Sequence, residues 1–119
     1  MNFHPNEIVL IYDPESEIGK QTLAYAKSIN NHIREIDYTK TTLTPTSWEQ
    51  ILELVDLEPK KIMDRSSEFY QNRIKGRDID IDGMLKILVH KPDLLAGPIA
   101  IHGKTALVCK NPVDVMKVK

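Results

Sequence analysis

The sequence predicts an α/β domain in which helices cover a four-stranded mixed sheet. Three observations carry this prediction: a β-α-β pattern opens the chain, the middle has helical periodicity, and the last third returns to strand patterning. The chain has 119 residues, of which 41% are hydrophobic, which is enough to bury one core. We therefore expect a single domain over residues 1–119.

The first third of the chain has the pattern of a β-α-β unit. Residues 7–12 (EIVLIY) form a nearly continuous apolar run, typical of a strand buried on both faces, and Asp13-Pro14 ends it. Apolar side chains three and four positions apart then predict a helix over 16–29, with Ser16 as its N-cap. Residues 32–37 (HIREID) predict a second, more exposed strand.

The middle of the chain, about residues 45–92, is predicted to be a helical insertion between the second and third strands. The first helix is expected at 48–55, after a cap at 46–47, and a short helical turn is expected from residue 59. Two more helices are expected, one at 66–72 and one from Asp82 to a point before Pro92.

The last third of the chain predicts a β-hairpin followed by a helix. Residues 98–101 and 105–109 form the strands, His102-Gly103-Lys104 forms the loop, and Asn111-Pro112 begins the helix.

Charge and composition exclude several classes of protein. A net charge of −1 argues against a direct nucleic-acid binder held by bulk electrostatics. No apolar run approaches the roughly 18 residues of a membrane span, and the N-terminus does not have the pattern of a signal peptide. One cysteine cannot form an internal disulfide, which fits a reducing compartment. We expect a cytoplasmic protein that does not bind membranes.

The segment 78–83 (DIDIDG) matches the opening of a calcium loop. The position of the required bidentate glutamate is Val89, inside an apolar helical stretch, so the segment is interpreted as a polar turn with Asp82 as an N-cap. The four histidines are dispersed over separate elements, and no metal site is expected.

Four segments in order resemble the arsenate reductase (ArsC)/Spx family of the thioredoxin superfamily. They are residues 11–23 (IYDPESEIGKQTL), 37–44 (DYTKTTLT), 94–99 (LLAGPI) and 105–115 (TALVCKNPVDV), so the resemblance covers almost the whole chain. It implies a thioredoxin-like fold and, for family members that keep the reactive cysteine, an oxidoreductase that reduces arsenate.

The resemblance places Ser16 where the family has its nucleophilic cysteine. A helix N-terminus can bring a thiol, with a pKa near about 8.5, into a reactive range. An alkyl hydroxyl is far more basic and needs an adjacent general base. Glu15 and Glu17 flank Ser16, and no histidine is close in sequence. Ser16 is therefore interpreted as an N-cap, and no catalytic residue is expected.

The resemblance also implies that the family's oxyanion clamp of arginines is degraded. Its first arginine falls on Asp64, beside Arg65, and a slip of one position would restore the cation. The second position is Gly97, and the third is Lys110, which keeps the charge but loses the bidentate fork.

The Gly97-Pro98 peptide bond is the candidate for the cis-proline that thioredoxin folds place at the start of the third strand. Only the resemblance supports this expectation, because about one X-Pro bond in twenty is cis. Such a peptide would face a binding groove, and a groove of this kind can persist in a protein that has lost the catalytic thiol. The expected groove contains Ser16, Lys20, Arg65, Gly97, Pro98 and Lys110.

The sequence leaves three functions open and favours the first. The first is a degenerate, non-catalytic domain that binds an unidentified protein or small molecule at this groove without a cofactor. The second is a residual arsenate reductase-type oxidoreductase that uses Cys109 with glutathione or glutaredoxin. The third is a regulator that contacts RNA polymerase as Spx does, although the CxxC switch of Spx is absent at residues 16–19.

Overall fold

The computed structural model describes residues 4–118, so residues 1–3 and 119 of the predicted domain lie outside its described part. Four strands form one mixed sheet in the order β2-β1-β3-β4. β1 is parallel to β2 and antiparallel to β3, and β3 is antiparallel to β4. This arrangement confirms the predicted fold class. The strands are β1 (Ile8–Tyr12), β2 (Ile33–Asp37), β3 (Ile99–His102) and β4 (Thr105–Val108).

Helices cover both faces of the sheet, and three of the four α-helices belong to the insertion between β2 and β3. They are α1 (Glu17–Ile29), α2 (Pro45–Val55), α3 (Glu68–Arg73) and α4 (Ile81–His90), with 3₁₀ turns at Pro59–Ile62, Pro92–Leu94 and Pro112–Val118. No helix within residues 4–118 has the length and apolar composition that crossing a membrane requires.

Strand β1 divides the core into two clusters because its side chains alternate between the faces of the sheet. Val9 and Ile11 pack with the insertion helices around Trp48. Leu10 packs on the opposite face with Ala26 of α1 and with the C-terminal 3₁₀ turn. All five residues of β1 are buried, as the unbroken apolar run predicts.

The start of α2 differs from the prediction. The helix begins at Pro45, and Thr44 caps it by accepting a hydrogen bond from the Ser47 backbone N–H at 3.1 Å. Proline is favoured at the first helical position because the N–H that it lacks would have no partner there. The predicted cap at 46–47 is therefore wrong, and both residues lie inside the helix.

The cap of α4 and the end of β4 also differ from the prediction. Asp80 caps α4 by accepting a hydrogen bond from the Gly83 backbone N–H at 2.8 Å, whereas Asp82 lies in the first turn. A carboxylate in the first turn interacts favourably with the helix dipole without capping it. Strand β4 ends at Val108, so Cys109 follows the strand.

Candidate functional site

The turn between β1 and α1 holds the Ser16 hydroxyl in two hydrogen bonds. The Oγ donates to the Asp13 carbonyl oxygen at 2.8 Å and accepts from the Gly19 backbone N–H at 3.0 Å. The second bond makes Ser16 the N-cap of α1, as predicted. The hydroxyl proton is directed at a carbonyl, which cannot act as a general base.

Gly19 allows the first turn of α1 to lie against the end of β1. A Cβ atom at this position would be 2.3 Å from the Asp13 carbonyl oxygen and 2.6 Å from the Ser16 Oγ. Both distances are shorter than van der Waals contact, so only glycine fits this backbone. The close approach fixes the geometry of the Ser16 cap.

The Gly97-Pro98 bond is trans, and no peptide bond among the described residues is cis. The predicted cis bond is therefore wrong. The trans isomer is intrinsically favoured by about 0.5–1 kcal/mol. In this form the Pro98 carbonyl accepts a hydrogen bond from the Cys109 backbone N–H at 2.7 Å, which ties residue 98 to the segment after β4.

Gly97 has no room for a side chain. A Cβ atom there would lie 2.0 Å from the Cys109 carbonyl oxygen and 3.4 Å from the Lys110 backbone nitrogen. An arginine at this position would require the backbone to move. The structure thus brings Gly97, Pro98 and Lys110 together through backbone contacts.

The three cations of the predicted groove lie on separate elements. Lys20 is in α1, Lys110 follows Cys109, and Arg65 precedes α3, where its carbonyl oxygen accepts from the Gln71 side chain at 2.6 Å. All three side chains are exposed. Within residues 4–118 none of them forms an ion pair, and none forms a hydrogen bond with Ser16.

The loop that carries Arg65 is connected to the segment before Gly97. The Asp64 backbone N–H donates to the Leu94 carbonyl at 2.7 Å, and the Ala96 N–H donates to the Ile62 carbonyl at 2.8 Å. These bonds pair residues 62–64 with residues 94–96, the segment that leads into β3.

Cys109 has the environment of a core residue. Its side chain is fully buried in the cluster between the sheet and α1. Burial, and to a lesser extent the nearby Asp114 carboxylate, raises the pKa of the thiol to about 12. A reactive cysteine needs exposure and a lowered pKa. The geometry therefore argues against Cys109 as a displaced nucleophile.

A cavity of about 340 Å³ opens beside the C-terminal ends of the parallel strands β1 and β2. The segment after β2 lines one side with threonine hydroxyls, and the end of α4 lines another. Trp48 of α2 also lines it. The Trp48 side chain is fully buried, and its indole N–H has no hydrogen-bond partner within residues 4–118. The helical pattern over residues 48–55 did not indicate this cavity.

Carboxylates act on the wall of the cavity, and Asp93, which lines it, is paired with Lys91 at 3.2 Å. Tyr38, which lines it, has a pKa raised to about 12, first by burial and then by the carboxylates of Asp13, Asp93 and Asp37. Asp13 is the same residue whose carbonyl accepts the Ser16 hydroxyl proton. The Asp13 carboxylate thus acts on a residue of the cavity wall, while the Asp13 backbone belongs to the Ser16 turn. Among the described residues no group of three or more potential ligands is arranged to hold a metal ion.

The order of the strands and the helices on both faces define a thioredoxin-like α/β domain. The chain belongs to the ArsC family: the sequence profile of that family matches residues 15–118. The matched range contains every residue of the predicted groove together with Cys109.

Several solved structures share this fold. An arsenate reductase from Vibrio cholerae has a TM-score of 0.86 and 19% sequence identity, and the match covers 98% of this chain and 100% of that chain. A protein from Yersinia pestis, provisionally described as an arsenate reductase, has a TM-score of 0.85 and 17% identity, with 93% and 99% covered.

An arsenate reductase (ArsC) related protein from Brucella melitensis has a TM-score of 0.69 and 10% identity, with 98% and 97% covered. At these identities the likeness concerns the fold. A comparison with curated proteins finds no match.

Proposed function

We propose that this ArsC-family domain binds a ligand or partner without catalysing cysteine-based reduction of arsenate. The observation that carries the proposal is the state of Ser16, which the resemblance assigns to the nucleophile position. Its hydroxyl is committed to capping α1 and to the Asp13 carbonyl. A serine oxygen cannot form the arsenic–sulfur or disulfide intermediates of this chemistry, and it lacks a base to activate it.

The alternative oxidoreductase, which uses Cys109 with glutathione, has less support. The thiol would have to leave the core to meet glutathione or arsenate, because its side chain is fully buried. Its raised pKa also keeps the thiolate scarce at neutral pH.

The surroundings of Ser16 favour a neutral or cationic ligand over an oxyanion. Gly97, where the resemblance expects a clamp arginine, has no space for a side chain. Three carboxylates act on Tyr38 in the wall of the cavity, and one of them, Asp93, is in an ion pair with Lys91. Taking a doubly charged anion into such a field is unfavourable, since like charges at short range repel strongly outside bulk water. The ligand is proposed to occupy the groove at Ser16 and the cavity beside Tyr38.

The experiment is a coupled assay of arsenate-dependent NADPH oxidation with glutathione, glutaredoxin and glutathione reductase. The proteins are the wild type, Cys109→Ser and Ser16→Cys. We expect none of them to exceed the protein-free rate, because Ser16→Cys restores a thiol but leaves the clamp incomplete. Turnover by the wild type that Cys109→Ser abolishes would contradict the proposal. Turnover by Ser16→Cys alone would mean that only the thiol is missing.

Contact with RNA polymerase, which the likeness to Spx implies, stays a prediction. Co-purification with polymerase tests it directly, and wild-type protein that is not retained would count against it.

A further inference from the structure

The insertion carries an exposed apolar surface between α2 and α4, far along the chain from the Ser16 turn. Leu57, which follows α2, is 44% exposed, and Ile81, the first residue of α4, is 53% exposed. Two adjoining cavities of about 230 and 420 Å³ share Pro59 and Ile81 in their walls. We call this surface the α2–α4 groove and define its apolar floor as Leu52, Leu57, Pro59 and Ile81.

The rim of the α2–α4 groove is acidic. It consists of Glu49, Glu53, Asp56 and Glu58, all of them exposed, and no ion pair reaches any of the four within the described chain. Glu49 and Glu53 stand four positions apart on one face of α2, a like-charge spacing that destabilises an isolated helix.

The lysine that lines the groove forms no ion pair with these carboxylates. Lys60 lines the smaller cavity, but its Nζ donates to the Arg77 carbonyl oxygen at 3.2 Å. The Lys60 ammonium group therefore points toward the loop after α3. The α2–α4 groove therefore combines exposed apolar side chains with carboxylates that form no ion pair within residues 4–118.

We propose that the α2–α4 groove docks a basic amphipathic segment of a partner protein. Apolar side chains on one face of that segment would cover Leu57 and Ile81, and lysines or arginines at its edges would meet the four carboxylates. Helices of this kind bind apolar grooves through anchors three and four residues apart. A rim of opposite charge speeds the encounter and selects the partner.

A second copy of this chain fits the groove poorly. A two-fold dimer brings the same patch together from both protomers. Such a dimer here would set four carboxylates against four others, and the repulsion would oppose burial of the apolar floor. The inference stands apart from the proposed function at Ser16, because the two surfaces share no residue.

The test measures binding of a fluorescent synthetic peptide of about 14 residues, roughly four helical turns, with leucines on one face and lysines on the other. A peptide with glutamate in place of each lysine is the charge control. We expect the lysine peptide to bind the wild type by fluorescence anisotropy, with affinity that falls as salt rises. The glutamate peptide should not bind.

Two pairs of variants locate the binding site. Leu57→Ser/Ile81→Ser removes the apolar floor, and Tyr25→Ser/Val113→Ser removes two exposed apolar side chains elsewhere. The first double variant should weaken binding by about tenfold or more, as loss of interface anchors does, and the second should change it less than about twofold.

A second pair tests the charges. Glu49→Gln/Glu53→Gln should weaken binding and flatten its salt dependence, whereas Glu7→Gln/Glu68→Gln, with the same change in net charge, should do neither. Fluorescence of the buried Trp48 verifies that each variant is folded. Equal losses in the groove variants and their controls would overturn the proposal. A wild-type dimer in sedimentation that Leu57→Ser/Ile81→Ser dissociates would overturn it in favour of a second copy.

Discussion

The Ser16 cap can be tested by replacing Ser16 with alanine. The substitution removes the acceptor of the Gly19 backbone N–H, which lies in a buried residue. The Asp13 carbonyl keeps a partner, because it also accepts the Ser16 backbone N–H at 3.2 Å. The loss is thus confined to one cap, and we expect unfolding to become easier by about 1–2 kcal/mol.

This loss corresponds to a measurable fall in melting temperature. A chain of 119 residues has an unfolding entropy of about 250 cal/mol/K, so each 1 kcal/mol lowers the midpoint by about 4 °C. We expect a decrease of about 4–8 °C for Ser16→Ala. Thermal or urea unfolding followed by fluorescence gives a clean signal, because Trp48 is the one tryptophan and is fully buried.

A matched control lies on the same helix. Ser28 is exposed, and its Oγ donates to the Tyr25 carbonyl without capping a helix end, so Ser28→Ala should change stability by less than about 0.5 kcal/mol. Asparagine is as good an N-cap as serine, so Ser16→Asn should restore most of the loss. Equal stability of Ser16→Ala and Ser28→Ala would refute the assignment of Ser16 as a structural cap.

Three further predictions concern glycine contacts and titratable side chains. Gly19→Ala should destabilise the fold by about 1–3 kcal/mol in urea unfolding, because its Cβ would meet the Asp13 carbonyl; an unchanged midpoint would mean that the contact relaxes freely. The Cys109 thiol should react with a disulfide reagent at pH 8 only after urea is added, and rapid labelling of the native protein would contradict its burial. Stability should fall as pH rises above about 9, since the pKa of Cys109 is raised from 9.0 to about 12: the contribution of the neutral thiol is full below pH 9 and is lost toward pH 12. Cys109→Ala should weaken this alkaline loss, and Tyr38, whose pKa is raised from 10.0 to about 12, should account for a further part.

The fold could be predicted because local pattern and tertiary structure agree. The apolar run of β1 faces helices on both sides, and the periodicity of α1 matches the face that packs on the sheet. The cap of α2 was harder to predict, since Thr44, Thr46 and Ser47 all have capping side chains. Thr44 is the cap because Pro45 then occupies the first helical position, which proline favours.

The candidate site depended more on contacts between distant segments. The Ser16 cap is local and was predicted from the residue and its place before an amphipathic run. The exclusion of a side chain at Gly97 comes from Cys109 in a later segment, and the burial of Cys109 depends on how α1 covers the sheet. No periodicity in the sequence carries that information. The cavity was missed for the same reason, since it forms where the segment after β2 meets α2 and α4.

The start of α1 bears on the proposal that the ligand is not an anion. A helix N-terminus is a ready anion site because its first N–H groups lack partners and its dipole is positive at that end. In this chain the Ser16 hydroxyl already accepts from the Gly19 N–H, one of the donors of the first turn. In the turn before the helix, the Glu15 N–H donates to the Asp13 carboxylate at 2.9 Å. Glu17 adds a carboxylate to the first turn. An oxyanion that took the Gly19 N–H would have to displace the Ser16 hydroxyl while facing the carboxylate of Glu17. The Ser16 cap thus competes with an anion for this donor, which supports the proposal of a domain that binds a ligand without reducing arsenate.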